Sequence, residues 1–124
     1  AMIARGSHIN AIGAIVPARS EFAQDVFPRC DKIVVDSIRS VRELSAEFRE
    51  HFGDDGNAWN TVQPISEVIA HDSMRPANSD LTLFKAMGMG ISDLALGIEV
   101  LARAEERGGT TTLPDRVRVP PRLR

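Results

Sequence analysis

The chain predicts an α/β fold built on parallel strands, and three observations carry that expectation. Short runs rich in β-branched residues alternate with stretches of helical apolar spacing along the 124 residues, the order that joins strands through helical crossovers. Lys32-Ile33-Val34-Val35-Asp36 is continuously apolar between polar ends, as expected of a strand covered on both faces of a sheet. Met89–Arg107 places Ile91, Leu94, Ala95, Ile98, Leu101 and Ala102 on one helix face, with Gly108-Gly109 as a stop.

The elements follow in order. Ile9–Ala14 is short and apolar and contains Gly13, so it reads as a buried strand entering a turn that Pro17 ends. Ala18–Ser20 is a loop. Glu21–Phe27 reads as one or two helical turns, with Ser20 as N-cap and Phe22, Val26 and Phe27 on the inner side. After the second strand, Ile38, Val41, Leu44 or Ser45, Phe48 and Phe52 give Ser37–Phe52 helical spacing with one apolar stripe. Gly53–Asn57 and Asp72–Ser79 are loops by composition. Pro64–Ala70 suits a short helix opened by proline. Leu81–Lys85 alternates and is rich in strand formers, which makes it the third strand. Thr110–Leu113 is extended, and the Pro- and Arg-rich tail from Asp115 is expected to fray. Three strands and one long helix fall short of a complete doubly wound sheet.

Length allows one domain at most. A formal net charge of −2 gives no electrostatic draw toward nucleic acid or an anionic membrane, and no apolar run is long enough to span a bilayer. Cys30 is the single cysteine, which excludes an internal disulfide and fits a reducing compartment. No charged segment followed by an apolar core opens the chain, so a cytoplasmic location is expected.

Several groups invite a chemical reading. His8, His51 and His71 lie far apart without metal-ligand spacing, and no metal is expected. His8 precedes the first strand, where a solvated or hydrogen-bonded histidine is the default. Cys30 has no neighbouring base and reads as structural. Gly88-Met89-Gly90-Ile91-Ser92-Asp93 looks like half a dinucleotide fingerprint between a strand and a helix, but Asp93 replaces the third glycine. A carboxylate in the first helical turn repels a pyrophosphate, so small residues for close packing, with Asp93 complementing the helix dipole, are the stronger reading. Asp36 and Ser37 end the second strand, where ligands sit in open parallel sheets. The competing reading makes Ser37 a helix N-cap and Asp36 a dipole partner. Arg39, Arg42, Glu43, Glu47, Arg49 and Glu50 read as the solvated face of a helix, with Arg39 and Glu43 paired. Arg116, Arg118, Arg122 and Arg124 read as a solubilising tail.

Three blocks together carry a family resemblance: His8-Ile9-Asn10-Ala11-Ile12-Gly13-Ala14 with Pro17 and Glu21, then Ile33-Val34-Val35-Asp36-Ser37, then Arg75 through Leu81–Asp93. In order and spacing, from about Gly6 to Thr112, the chain resembles the ornithine cyclodeaminase and mu-crystallin family. The resemblance implies a partial Rossmann-like parallel sheet. Residues 1–112 would be the C-terminal part of an NAD(P)-binding domain with its returning helix, and 113–124 a tail. The Gly-rich phosphate loop and the substrate-binding basic residues would precede Ala1. Family members look like two-domain homodimers that cyclise ornithine, reduce cyclic ketimines, or oxidise or form amino acids by hydride transfer with NAD or NADP.

The resemblance also implies site residues. Asn10, Ala11, Ile12 and Gly13 match the turn whose backbone approaches the nicotinamide. Arg19 matches a basic position near the cofactor, and Ala86, Met87 and Gly88 line the same end. Ile15 stands where cyclising members carry a catalytic aspartate, Ala86 where relatives carry a serine, and Asn78 where aspartate is frequent. No catalytic residue is therefore assigned, and weight moves from ornithine cyclisation toward other family reactions on an amino acid or imine. The expected partner is a second copy of the chain, and tight NAD(P) binding by this chain alone is not expected. A degenerate, non-catalytic association module is the alternative.

Overall fold

A computed structural model describes residues 2–114. They fall into two units, one ending at Met89 and one beginning at Gly90. The first unit is built on four parallel strands: β1 (Ser7–Ala11), β2 (Cys30–Val35), β3 (Val62–Pro64) and β4 (Leu81–Lys85), in the sheet order β1-β4-β2-β3. The strand expected over Ile9–Ala14 thus begins earlier and ends at Ala11. The fourth strand, β3, is an addition to the three expected. It has only three residues and ends in proline, too short for alternation to show. Proline is tolerated there because β3 lies at the sheet edge.

In register, Ile9 lies beside Leu83, Leu83 beside Ile33, and Ile33 beside Val62. This row, with Ala11 and Val35, packs against Phe27, Val41, Phe48, Phe52 and Trp59. The layer over it comes from a 3-10 helix (Gln24–Arg29), α1 (Ile38–Leu44) and α2 (Ala46–Phe52). Phe27 meets Phe48 edge to face at 5.0 Å, and Phe52 meets Trp59 at 5.0 Å. The opposite face carries Val34 and Phe84, against which Ile65 and Val68 of α3 (Ile65–Ala70) line a cavity of about 370 Å³. The chain moves from β1 out to β2 and β3 over the aromatic face, then returns to β4 over the other. Reversing direction and face together keeps one crossover hand.

Two expectations about the helices change. Ser37–Phe52 is not one helix: Ser45 sits in extended conformation, φ −83° and ψ 117°, and separates α1 from α2. Its N–H closes α1 onto the Val41 carbonyl, and its hydroxyl donates to Glu47 Oε2 at 2.8 Å. The break turns α2 so that Phe48 and Phe52 face the sheet, leaving Leu44 38 % exposed. It also buries Glu47 to 1 % exposure, so that residue does not belong to the solvated face. The turns after Ser20 are a 3-10 helix beginning at Gln24, and the Ser20 hydroxyl donates to the Phe22 carbonyl instead of capping. Val26 and Phe27 do point inward.

The second unit contains α4 (Gly90–Glu106). It ends as the two glycines predict: Gly108 takes φ +64°, its N–H donates to Glu105 O, and Gly109 N–H donates to Ala104 O, the pattern of a glycine-closed helix terminus. No residue of α4 is buried. Among the described residues no helix is long and apolar enough to cross a membrane. The arginine-rich tail from Asp115 lies outside the described residues.

Candidate functional site

Parallel strands bring their carboxyl ends to one edge of the sheet, and ligands of open α/β sheets sit beyond that edge. The predicted segments Asn10–Gly13 and Ala86–Gly88 leave β1 and β4, which are neighbours. The structure brings them together, with Ala86 N–H donating to the Ala11 carbonyl at 3.0 Å. Ala11 and Met87 are buried, while Ile12 is 66 % exposed and Asn10, Gly13 and Gly88 are open. Arg19 lies further along the same loop, exposed, its N–H closing a turn onto the Val16 carbonyl. Ile15 is 48 % exposed, an apolar side chain at the rim.

A buried polar network lies beneath the turn. Lys85 ends β4 with its side chain fully buried, and its ammonium donates to Glu21 Oε2 at 2.5 Å and to the Ala14 carbonyl at 2.7 Å. Glu21 Oε1 accepts from Gly13 N–H at 2.7 Å. Behind it, Glu47 Oε1 accepts from Glu21 N–H at 2.7 Å, and the Glu47 backbone carbonyl accepts from the Gln24 amide. Burial pushes the Glu21 pKa upward, but Lys85 and the amides of Ala14 and Gly13 outweigh it and hold the carboxyl below its ordinary range. A Cβ on Gly13 would lie 3.0 Å from Glu21 Oε1. A side chain at 13 would therefore need this carboxylate to shift.

Asp36 does for the β4 exit what Glu21 does for the β1 exit. Its Oδ2 accepts from Met87 N–H at 2.9 Å and Gly88 N–H at 2.8 Å, and its Oδ1 accepts from Ser37 N–H. Ser37 caps α1 by accepting from Ser40 N–H. Gly88 has φ +83°, a conformation that glycine adopts at little cost. The two amides nearest the half fingerprint thus already hold an anion of the protein's own, which agrees with the structural reading of Gly88-Met89-Gly90.

The remaining candidates are structural. His8 Nδ1 lies 2.7 Å from Thr82 Oγ1 and Nε2 3.2 Å from Asn10 Oδ1. His51 stacks on Phe27 at 4.2 Å. No group of metal-binding side chains occurs among the described residues. Burial, followed by the charge of Asp31, pushes the Cys30 thiol up to about 11, and its Sγ contacts the Val26 carbonyl. Such a thiol is a poor nucleophile. The larger cleft, about 590 Å³, takes only Pro17 from the predicted segments. Its other polar groups are side chains such as Arg42 and Glu50, with Arg42 over the Trp59 ring at 4.7 Å.

Sequence reasoning overlooked Lys85 and Glu47. A signal for Lys85 was present: alternation puts it on the same face as Leu81 and Leu83, and a lysine there needs a carboxylate partner. Glu47 became visible only with the break at Ser45.

The family model described as ornithine cyclodeaminase/mu-crystallin family matches residues 1–108. An uncharacterized cyclodeaminase of Sinorhizobium fredii is 31 % identical over 104 residues, covering 82 % of this chain and 31 % of that protein. The structure of Thermococcus litoralis Δ(1)-pyrroline-2-carboxylate reductase, in complex with NADH and L-proline, superposes with a TM-score of 0.72 at 25 % identity, covering 90 % of this chain and 35 % of the other. An archaeal alanine dehydrogenase dimer with bound NAD gives 0.69 at 27 % identity, again over 90 % and 35 %. The chain spans about a third of the length of the curated relatives it matches.

Proposed function

The chain belongs to the ornithine cyclodeaminase/mu-crystallin family, and from that premise we propose that it supplies the nicotinamide-facing edge of an NAD(P)-dependent enzyme acting on an amino acid or cyclic imine. The observation that carries this reading is the joining of the Asn10–Gly13 turn to the Ala86–Gly88 segment at the carboxyl edge of the sheet. The relatives favour an enzyme over a non-catalytic module, since the reductase binds NADH with L-proline and the alanine dehydrogenase binds NAD.

The described residues fit one end of the cofactor and not the other. The exposed backbone of Ile12 and Gly13, with Ala86 beside it, suits a flat ring. The amides of Met87 and Gly88 are taken by Asp36 and do not suit a pyrophosphate. When bound, the cofactor supplies the hydride. The protein's own part is positioning and exclusion of water: the turn sets the ring's distance, and Ile15 presents an apolar surface at the rim. Isoleucine neither accepts a proton nor steadies an amine cation, so reduction of a preformed imine suits this edge better than loss of ammonia from ornithine. A cytoplasmic dimer is the setting this reading expects.

A chimera joining this chain to the first two thirds of the Thermococcus litoralis reductase tests the proposal. Ketimine-dependent NAD(P)H oxidation is expected, with little proline formed from ornithine. Robust ornithine cyclisation with Ile15 in place would show that the position does not decide the reaction. The chain alone is expected to show no saturable micromolar binding of NADH by nicotinamide fluorescence, and such binding would restore Gly88-Met89-Gly90 as a phosphate loop.

A further inference from the structure

We infer that Lys85 and Glu21 are positioning residues that set which backbone groups of the turn face outward. Every peptide here is trans, so the C=O and N–H of one peptide unit point in opposite directions. Inward contacts therefore dictate outward groups, three of them at Ile12 and Ile15. The Ala11 carbonyl is held by Ala86 N–H, which turns Ile12 N–H away from the sheet. Gly13 N–H is held by Glu21, which turns the Ile12 carbonyl away. The Ala14 carbonyl is held by the Lys85 ammonium, which turns Ile15 N–H away. Ile12 is 66 % exposed and Ile15 48 %. The result includes outward donors at Ile12 and Ile15 and an outward acceptor at Ile12 in one short turn, groups that can serve the acceptor and donor of a carboxamide. Two of these three orientations depend on the one ion pair.

Lys85 is suited to this work and to little else. It is fully buried, its charge is met by Glu21, and it touches no solvent. Removing one member of such a pair leaves an uncompensated buried charge, whereas replacing both with apolar side chains of similar size is tolerated. Stability and positioning can therefore be separated by experiment. This inference rests on the reading of the turn as the nicotinamide-facing edge, but only in its choice of ligand.

Amide hydrogen exchange and nitrogen-15 NMR on the 124-residue chain, with free nicotinamide as the probe, test it. In the unsubstituted chain, Gly13 N–H is expected to be protected, and nicotinamide is expected to shift the Ile12 and Ile15 amides. In the double variant K85M/E21L, protection at Gly13 is expected to fall by about tenfold or more while the β4 amides keep theirs, and the nicotinamide-dependent shifts disappear. E21Q keeps only one oxygen, which can meet the Lys85 ammonium or Gly13 N–H but not both, so protection at Gly13 is expected to fall in it as well. The proposal is overturned if the double variant or E21Q holds Gly13 as the parent does, since side-chain packing would then be enough. If Gly13 loses protection in the double variant but nicotinamide shifts nothing even in the parent chain, positioning stands and the cofactor reading fails. The double variant carries the test if K85M alone does not fold.

Discussion

Helices α2 and α4 each carry an apolar stripe, and only one of the two stripes is covered. In α2, Phe48 is fully buried and Phe52 is 7 % exposed, both in ring contact with Trp59. In α4, Ile91, Leu94, Leu96, Ile98, Val100 and Leu101 are exposed by between 54 % and 67 %. Leu96 and Val100 also lie on the side away from the Ile91–Leu101 stripe, so this helix is apolar around much of its circumference. Such a helix is normally covered on more than one side. The difference teaches that apolar spacing announces an inner face without naming the surface that will cover it. For α2 that surface is the β-sheet; in α4 no residue is buried among those described.

The sharpest way to break this comparison is to truncate one side chain from each stripe. F48A is expected to cost about 3–5 kcal/mol, because a large aromatic leaves a cavity that its neighbours cannot fill. Urea unfolding measures it, and a loss below ~1 kcal/mol would show that the aromatic layer is not the core. I98S in α4 should change stability by less than about 0.5 kcal/mol while lowering the associated mass seen by light scattering. A clean monomer mass for the unsubstituted chain would remove the second half of the comparison. Next in size, G13A is expected to cost about 1–3 kcal/mol, since its Cβ presses on a carboxylate that cannot retreat without releasing Lys85.

The smallest effect concerns acid. Glu21 and Asp80 are both held below their ordinary carboxylate range. For Asp80 the cause is the Arg29 guanidinium, which donates two bonds of 2.9 Å. A carboxyl with a depressed folded pKa contributes stability that is fully present above its unfolded value and is lost as pH falls through the folded one. Melting temperature should therefore hold steady down to the ordinary glutamate value of 4.5 and decline on its acid side. E21Q should flatten part of that decline, and an unchanged acid limb would show that the pair does not contribute.

The parts of the fold legible in the sequence are those whose signal is local. Residues Ile33–Val35 announced a buried strand, Leu81–Lys85 a second, and Gly108-Gly109 the end of α4 to within a residue. The family, too, was legible, because three short blocks keep their order. What was hidden depends on partners distant in sequence. The break at Ser45 follows from how α2 meets the sheet, and β3 is held by its register with β2 more than by any pattern of its own. Lys85 and Glu21 are 64 positions apart, so neither alone reveals the turn that they hold. At the candidate site, the segments and Asp36 were visible, and the pairing of Lys85 with Glu21 was not.

The sheet order β1-β4-β2-β3 has a consequence for how the chain reaches its structure. β1 and β2 have no edge in common; the strand that joins them is made last. Within these residues, the first sheet pairing available on a ribosome is β2 with β3, and the pairing of β1 with β4 waits until Leu81–Lys85 has emerged. Pairings of such separation carry a high loop-closure cost and slow folding. The junction of the two site segments thus cannot form in a chain halted before residue 81.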